Sequence, residues 1–373
     1  MAIILFLIVL IVLILVHEAG HFAAAKISGI RVDEFGLGFP PRIAGIKFGE
    51  TTYSINWIPF GGFVKIFGEN PDEDSIGGPQ SSRSMVNKSK WLQVFVLSAG
   101  VICNLIFAWL LISFGFMSGL PTSVSAYPNA HFADAKVVIT NVLPGSPADK
   151  AHLKSGDAIV SMTSGSGAKI QVLNVGTTDA DVAAVQKFIS DSANQPITIQ
   201  IAEGNTKSEI VATPIIGLVA GKAALGIGLD KIGILRLPIH KALYEGGILT
   251  WDLTKATAVG LGTFLKNLVI AKADLAQVTG PVGIVGLVGD AAHLGFIYLL
   301  SFTAFISINL AVINLLPFPA LDGGRILFVI IEAIKRSPIN PKVANTFNAI
   351  GFGLLILLML VITFHDVFKI FVK

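Results

Sequence analysis

The chain has 373 residues, 53% of them hydrophobic and only 14% charged, with a mean hydropathy of +0.74. An ordinary soluble domain carries about 25% charged residues, so this composition excludes one and indicates an integral membrane protein. A formal net charge of +3, with Lys and Arg spread along the chain, implies no nucleic-acid partner. The single cysteine, Cys103, excludes a disulfide framework and a cysteine metal site, so any metal must be held by His and carboxylate.

Residues 1–26 are predicted as the first transmembrane helix. An uncharged apolar run, Ile3 to Leu15, leads into His17-Glu18-Ala19-Gly20-His21 and resumes at Phe22-Ala23-Ala24-Ala25. On one helix, histidines four apart share a face, where neutral imidazoles can take two positions around Zn²⁺ and Glu18 can act as general base beside it. From Ala2 to Val16 such a helix covers about 22 Å, short of the ~30 Å hydrocarbon core, so the motif is expected inside the bilayer. Ionisable groups there are costly and by default functional. A cleaved signal peptide ending at the alanines would need a basic residue ahead of the apolar run, and none is present.

Residues 27–90 form a loop with strand-like runs at 46–48, 52–57 and 63–67, separated by Gly49-Glu50 and Pro59-Phe60-Gly61-Gly62. This predicts a small β-sheet or hairpin whose edge either pairs with an extended peptide by strand addition or is a plain surface feature. Asn70 to Lys90 is polar and reads as mobile. A second span covers 91–120, with Asn104 read as a structural residue that bonds to a neighbouring helix or as one that supports the site, the structural reading favoured. Residues 121–235 change character. Strands at 137–140, 197–201 and 209–212, a turn and strand over 156–160, a turn at 144–148 opening a short helix, a helix over 181–192 and a hairpin turn at Gly204-Asn205 predict an α+β module suited to peptide binding. Residues 236–290 form an amphipathic and linker region, helical from Lys241 to Val278 and broken at Gly280-Pro281-Val282-Gly283. A third span lies within 291–324, a loop within 325–348, and a fourth span with a short tail within 349–373.

Basic residues concentrate in the loops at 26–90 and 325–342, which places both on the cytoplasmic side. Four spans then put both termini and the 121–235 module on the opposite face. A catalytic zinc wants three protein ligands and an open position. The best third candidate is Asp322, at the end of the third span between Pro317-Phe318-Pro319 and Gly323-Gly324; the competing reading makes Asp322 a cap for a helix starting at Arg325. His131, His152, His240, His293 and His365 read as surface or interfacial residues.

With these motifs in view, the chain resembles the site-2 protease family of intramembrane zinc metalloproteases, in the bacterial PDZ-containing form, the regulator-of-sigma-E protease type. The resemblance rests on HEAGH at 17–21, Gly36-Leu37-Gly38-Phe39, the segment from Ile58 to Lys65, Gly280-Pro281-Val282-Gly283-Ile284, and Asn314-Leu315-Leu316-Pro317-Phe318-Pro319-Ala320-Leu321-Asp322-Gly323-Gly324. It implies a polytopic α-helical membrane protein with about four transmembrane helices, a membrane-associated β-loop at 46–67 and one inserted PDZ-like domain. It implies Zn²⁺ held by His17, His21 and Asp322, Glu18 as catalytic base, and substrate contacts at Asn314, Pro317 and Pro319. Implied partners are single-span membrane protein substrates, such as anti-sigma factors or signal-peptide remnants, peptide segments at the PDZ-like domain, and the bilayer. The implied location is a bacterial cytoplasmic membrane with that domain outside. Two departures stand out: Ala99-Gly100-Val101 where the family commonly has Ala-Gly-Pro, and room for one PDZ-like module rather than two. Rival readings are a catalytically silent binding protein with a structural zinc and a transporter; no inverted repeat supports the latter.

Overall fold

A computed structural model describes all residues except 71, 173–179, 204–205, 220–221, 271, 273–278, 338 and 372–373. In chain order the elements are α1 (Ala2–Ile27), β1 (Val32–Phe48), β2 (Thr51–Ile66), α2 (Glu73–Gly77) and α3 (Lys90–Ser118), then β3 (Leu120–Ser123), β4 (Phe132–Val142), α4 (Pro147–Lys150), β5 (Ala158–Ser164), β6 (Lys169–Gln171) and α5 (Ala180–Asp191). These are followed by β7 (Ile197–Glu203), β8 (Thr206–Ala212), β9 (Ile215–Val219), β10 (Lys222–Ala224) and β11 (Ile227–Leu235), and by α6 (Ile239–Val269), α7 (Pro281–Leu294), α8 (Phe296–Asn314), α9 (Asp322–Lys335) and α10 (Pro341–Phe371). The chain divides into one unit of residues 1–114 and 240–373 and another of 115–239. Four helices of the first unit are long and apolar enough to cross a membrane, namely α1, α3, α8 and residues 342–368 of α10.

The first unit is anchored where α1 ends. Gly29 takes φ +65°, its N–H bonds to Lys26 O, and the Ile30 N–H bonds back to Ala25 O at 2.9 Å. This Schellman termination turns the chain so that Ile30 and Val32, both fully buried, enter a core with Ala24, Ala25, Val64, Ile66, Val96, Leu97 and Val329. The core joins the end of α1, the sheet, the start of α3 and α9. The sheet is more folded than a hairpin, because each long strand bends back on itself. Phe35 pairs with both Val64 and Tyr53, while Ile46 pairs with Tyr53. The lateral order is therefore 62–66, 32–37, 51–56, 42–48; the two outer pairings are antiparallel, while 32–37 and 51–56 run parallel, Glu34 facing Thr52 and Leu37 facing Ile55. Ile43, Ile46, Phe48, Ile55 and Trp57 lie exposed on this sheet, an apolar surface of the kind that meets a membrane or a partner.

Three expectations need correction. The stretch read as mobile holds the short helix α2, capped reciprocally by Asp72 and Ser75. Asn87 Nδ2 donates to the carbonyls of Ser75, Ile76 and Ser81, so side-chain-to-backbone bonds order a segment whose polar composition hides it. The loop expected over 325–348 is mostly helix. α9 has large apolar residues at 326 to 331 and 334, but at 14 residues it is too short to span, and α10 already begins at Pro341. The third span is α8 alone, ending at Asn314, because Pro317 and Pro319 cannot continue the helix. A hydrogen bond from the Gly283 N–H to Asp366 Oδ2, 2.9 Å, ties the first turn of α7 to α10. The expected amphipathic helix is α6, with Trp251 and Leu268 exposed; positions 271 and 273–278 of that expectation lie outside the described residues.

The second unit is a mixed α+β body with its own core of Val137, Ile139, Ile159, Met162, Val185, Ile189, Ile197, Ile199 and Leu225. An antiparallel sheet runs in the order β3-β11-β4-β5-β7-β8, with β6 paired to β5 and β9–β10 as a separate hairpin. Alternation over 197–201 places Ile197, Ile199 and Ile201 inward. The four strands read from sequence correspond to β4, β5, β7 and β8, the short helix after the 144–148 turn to α4 and the helix over 181–192 to α5; β3, β6, β9, β10 and β11 were not anticipated. The turn expected at Gly204-Asn205 lies outside the described residues.

Candidate metal and catalytic centre

Helical spacing on α1 brings His17 and His21 to one face, and both are 7% exposed. The crossing with α3 is close. A Cβ on Gly20 would stand 2.5 Å from Ala99 O, and one on Gly100 would stand 2.3 Å from His21 Nε2 and 2.8 Å from His17 Cε1. Only a residue without a side chain leaves the imidazoles their place. The α3 residues that meet the histidines repeat every four positions. The Val96 carbonyl accepts from His21 Nδ1 at 2.8 Å, Gly100 makes the hollow, and Asn104 lies against His17, its amide 3.3 Å from Nδ1. His21 faces the earlier α3 residue and His17 the later one, so the two helices run antiparallel here.

The third element arrives from the other end of the sequence. After α8 the chain passes through Pro317 and Pro319 and turns at Ala320, which has φ +72°. The loop folds onto the first turn of α9. A Cβ on Gly323 would lie 2.3 Å from the carbonyl oxygens of Leu315 and Leu316, and one on Gly324 would lie 2.2 Å from that of Phe318. This contact explains the paired glycines. As for Asp322, Leu321 is the N-cap of α9 and no side chain caps the helix; the Asp322 carboxylate lies beside the histidines. Its Oδ2 lies 3.0 Å from His17 Nε2 and 3.3 Å from His21 Nε2, and the two Nε2 atoms are 3.3 Å apart.

These atoms suit a metal better than one another. Asp322 Oδ2 is buried and makes no hydrogen bond of acceptable geometry, although two ring nitrogens stand within 3.3 Å. His21 donates its only neutral-form N–H to Val96, so its Nε2 presents a lone pair inward. One ligand atom from each of the three residues lies within 4.8 Å of the others, and among the described residues no second such group of His, Cys, Asp or Glu occurs. Two imidazoles and one carboxylate make a three-ligand donor set for zinc that leaves a fourth position open. The residues fit the metal.

Glu18 is half-buried, within electrostatic reach of His17, His21, Asp322 and Arg325. A Cβ on Gly62 would stand 3.3 Å from Glu18 Cγ, so the sheet segment 62–66 passes directly beside it. Asn314 Nδ2 lies 3.4 Å from His17 Nε2, whereas Asn309 only bonds its own helix at Phe305 O. Pro317 is exposed and Pro319 half-buried; Pro319 rests on α10, where a Cβ on Gly351 would meet it at 2.5 Å. Sequence reading missed Gly100 and the Val96 carbonyl as parts of the site and took Asn104 as mainly structural. The available signal was the four-residue spacing of Gly100 and Asn104, which mirrors that of His17 and His21. It also missed Arg325, whose guanidinium pairs with Glu69.

Membrane-length apolar helices around a buried His-His-Asp cluster, with a glutamate alongside, match the class of membrane-embedded zinc metallopeptidases. The sequence profile of Peptidase family M50 matches residues 5–358. Similar proteins include a putative zinc metalloprotease of Clostridium perfringens, 35% identical over 358 residues and covering 95% of each chain. A putative zinc metalloprotease of a Nostoc species is 33% identical over 353 residues, 93% of this chain and 91% of its own. The regulator of sigma-W protease RasP of Bacillus subtilis is 28% identical, covering 98% of each chain. The chain belongs to peptidase family M50, the site-2 proteases, and is a zinc metalloendopeptidase of the membrane.

Proposed function

We propose that the chain hydrolyses peptide bonds within or next to the transmembrane segment of single-span substrates, with zinc held by His17, His21 and Asp322 and Glu18 as general base. The observation that carries this reading is the convergence of two Nε2 atoms and the otherwise unpartnered Asp322 Oδ2 on one point. A zinc ion held there supplies a Lewis acid, which acidifies water toward a pKa of ~7 and polarises a peptide carbonyl. The remaining work falls to the chain. Glu18 takes the proton of the attacking water on its carboxylate and returns it to the departing amine nitrogen. Asn314, with its amide at the edge of the cluster, is the donor placed to hold a substrate carbonyl. The loop at Pro317 and Pro319 forms the wall on that side.

A substrate helix hides its carbonyls in internal hydrogen bonds and must unwind before cleavage. Strand addition at segment 62–66 would replace those bonds next to Glu18, and the closeness of Gly62 to Glu18 supports that edge over the outer one at 42–48. The unit at 115–239 is read as the PDZ-like domain, on the extracytoplasmic side of a bacterial cytoplasmic membrane. Support comes from a cavity of about 590 Å³ between α5 and the β10–β11 segment, lined by Lys187, Ile189, Ala223, Leu225 and Ile227 among others, which suits an extended peptide. Since one relative carries the name regulator of sigma-W protease, a membrane-anchored anti-sigma factor is a fitting substrate class. The test is Glu18→Gln in purified protein with a reporter transmembrane peptide. Cleavage is expected to fall by at least ~100-fold with zinc content unchanged; full cleavage at normal zinc would overturn the assignment.

A further inference from the structure

We propose that Asn104 is a positioning residue for the metal centre. Its side-chain oxygen accepts the Nδ1–H of His17, as the Val96 carbonyl accepts that of His21, and so keeps both Nε2 lone pairs directed at the metal. The inference rests on the reading of His17, His21 and Asp322 as zinc ligands. It concerns a residue that the sequence leaves between a structural and a site-supporting role, and it gives that residue a specific partner and task.

A neutral imidazole carries one proton, and the partner of one nitrogen decides what the other can do. For His21 the matter is settled by chemistry, because a backbone carbonyl can only accept. For His17 the only hydrogen-bonding group among the described residues facing Nδ1 is the amide of Asn104, at 3.3 Å. The nitrogen end of that amide faces Nδ1 and the oxygen end is buried without a partner. Half a turn about the last side-chain bond exchanges two ends of nearly identical shape, so the network must choose between them. If the NH₂ end faced His17, Nδ1 would have to accept. The proton would then sit on Nε2, which lies 3.3 Å from His21 Nε2, and His17 would be lost as a ligand. With the oxygen end facing His17, both imidazoles present lone pairs to the same point.

The placement of Asn104 is itself secured. Asn104 is fully buried, and its backbone carbonyl accepts from the hydroxyl of Ser307 on α8 at 2.8 Å, with Ser307 also fully buried. This ties α3 to the helix that leads into the Asp322 loop. The spacing 96, 100, 104 matches the antiparallel spacing of His21 and His17, one α3 group for each ring.

The experiment uses the full chain in detergent and measures zinc affinity by competition with a chelator. Asn104→Leu, which keeps bulk but removes the acceptor, is expected to weaken zinc binding roughly 10- to 100-fold, the usual loss for an outer partner of a metal-bound histidine. Asn104→Asp, whose carboxylate accepts the same proton, is expected to bind zinc at least as well as Asn104. Visible spectra of the cobalt-substituted proteins should shift for the Leu variant and not for the Asp variant. If Asn104→Leu does not fold, Asn104→Ser, too short to reach Nδ1, takes its place with the same expected loss. Wild-type affinity in the Leu or Ser variant, or equal loss in the Asp variant, would overturn the positioning role. An Asp322→Ala control separates the layers. Retention of zinc there would bring down the ligand assignment itself, whereas its loss beside an unaffected Asn104→Leu would bring down this inference alone.

Discussion

Gly100 illustrates how a residue with no functional group can decide whether the centre exists. An added methyl would lie 2.3 Å from His21 Nε2, and overfilling a packed site costs about 1–3 kcal/mol. Gly100→Ala is therefore expected to weaken zinc binding roughly 10- to 100-fold while the protein remains folded and membrane-inserted; chelator competition checks it, and unchanged affinity would count against the close packing of α3 on the imidazoles. At this scale the sequence was most legible where chemistry was concentrated. Two histidines and a glutamate on an apolar helix admit few explanations, and Asp322 stood out because carboxylates at that depth are scarce. Asn104 was less legible, since an asparagine in a bundle can bond to almost any neighbour, and only the approach of His17 identifies its partner.

Among the elements, the sheet is the one the strand pattern understated. The runs at 46–48, 52–57 and 63–67 are present, but the segment 32–37 that joins them lacks clean alternation and carries Gly36. Its pairing on both sides is a tertiary property, set by burial of Val32, Val64 and Ile66 against α1 and α3. The segment beside Glu18 offers a direct test: Gly62→Val would place atoms against Ile14 and Glu18, and reporter cleavage is expected to fall ~10-fold or more, by the obstruction of substrate approach, without a change in zinc content. A second test concerns how the outer turn is held. Glu50 accepts from Arg83 and Lys26, and these cations hold its carboxyl well below the ordinary 4.5, at about 2. A lowered folded-state value stabilises the fold above pH ~4.5, and the contribution is lost as pH falls toward 2. The group is one-third exposed, so the effect is small. Thermal melts of Glu50→Gln should lie slightly below wild type at pH 7, and the gap should close as pH drops below 4; a gap that widens in acid would contradict the role of the network.

For the whole molecule, hydropathy located the four helices that are long and apolar enough to cross a membrane, because length and apolar content are sufficient signals for them. It misread α9, which has a helical apolar pattern but ends too soon to cross, and the basic residues Arg325, Lys335 and Arg336 made it look like a loop. The unit at 115–239 carries its own core, so this segment alone is expected to unfold cooperatively on heating; a non-cooperative melt would show that it depends on the rest of the chain. The pairing of α1 with a residue about 300 positions later is the central claim, since neither half holds a complete ligand set. Zinc content of wild type and Asp322→Ala, measured on purified full-length protein, tests it most directly. The account expects about one zinc per wild-type chain and little in the variant, with cleavage lost in parallel. Equal zinc in both would contradict it.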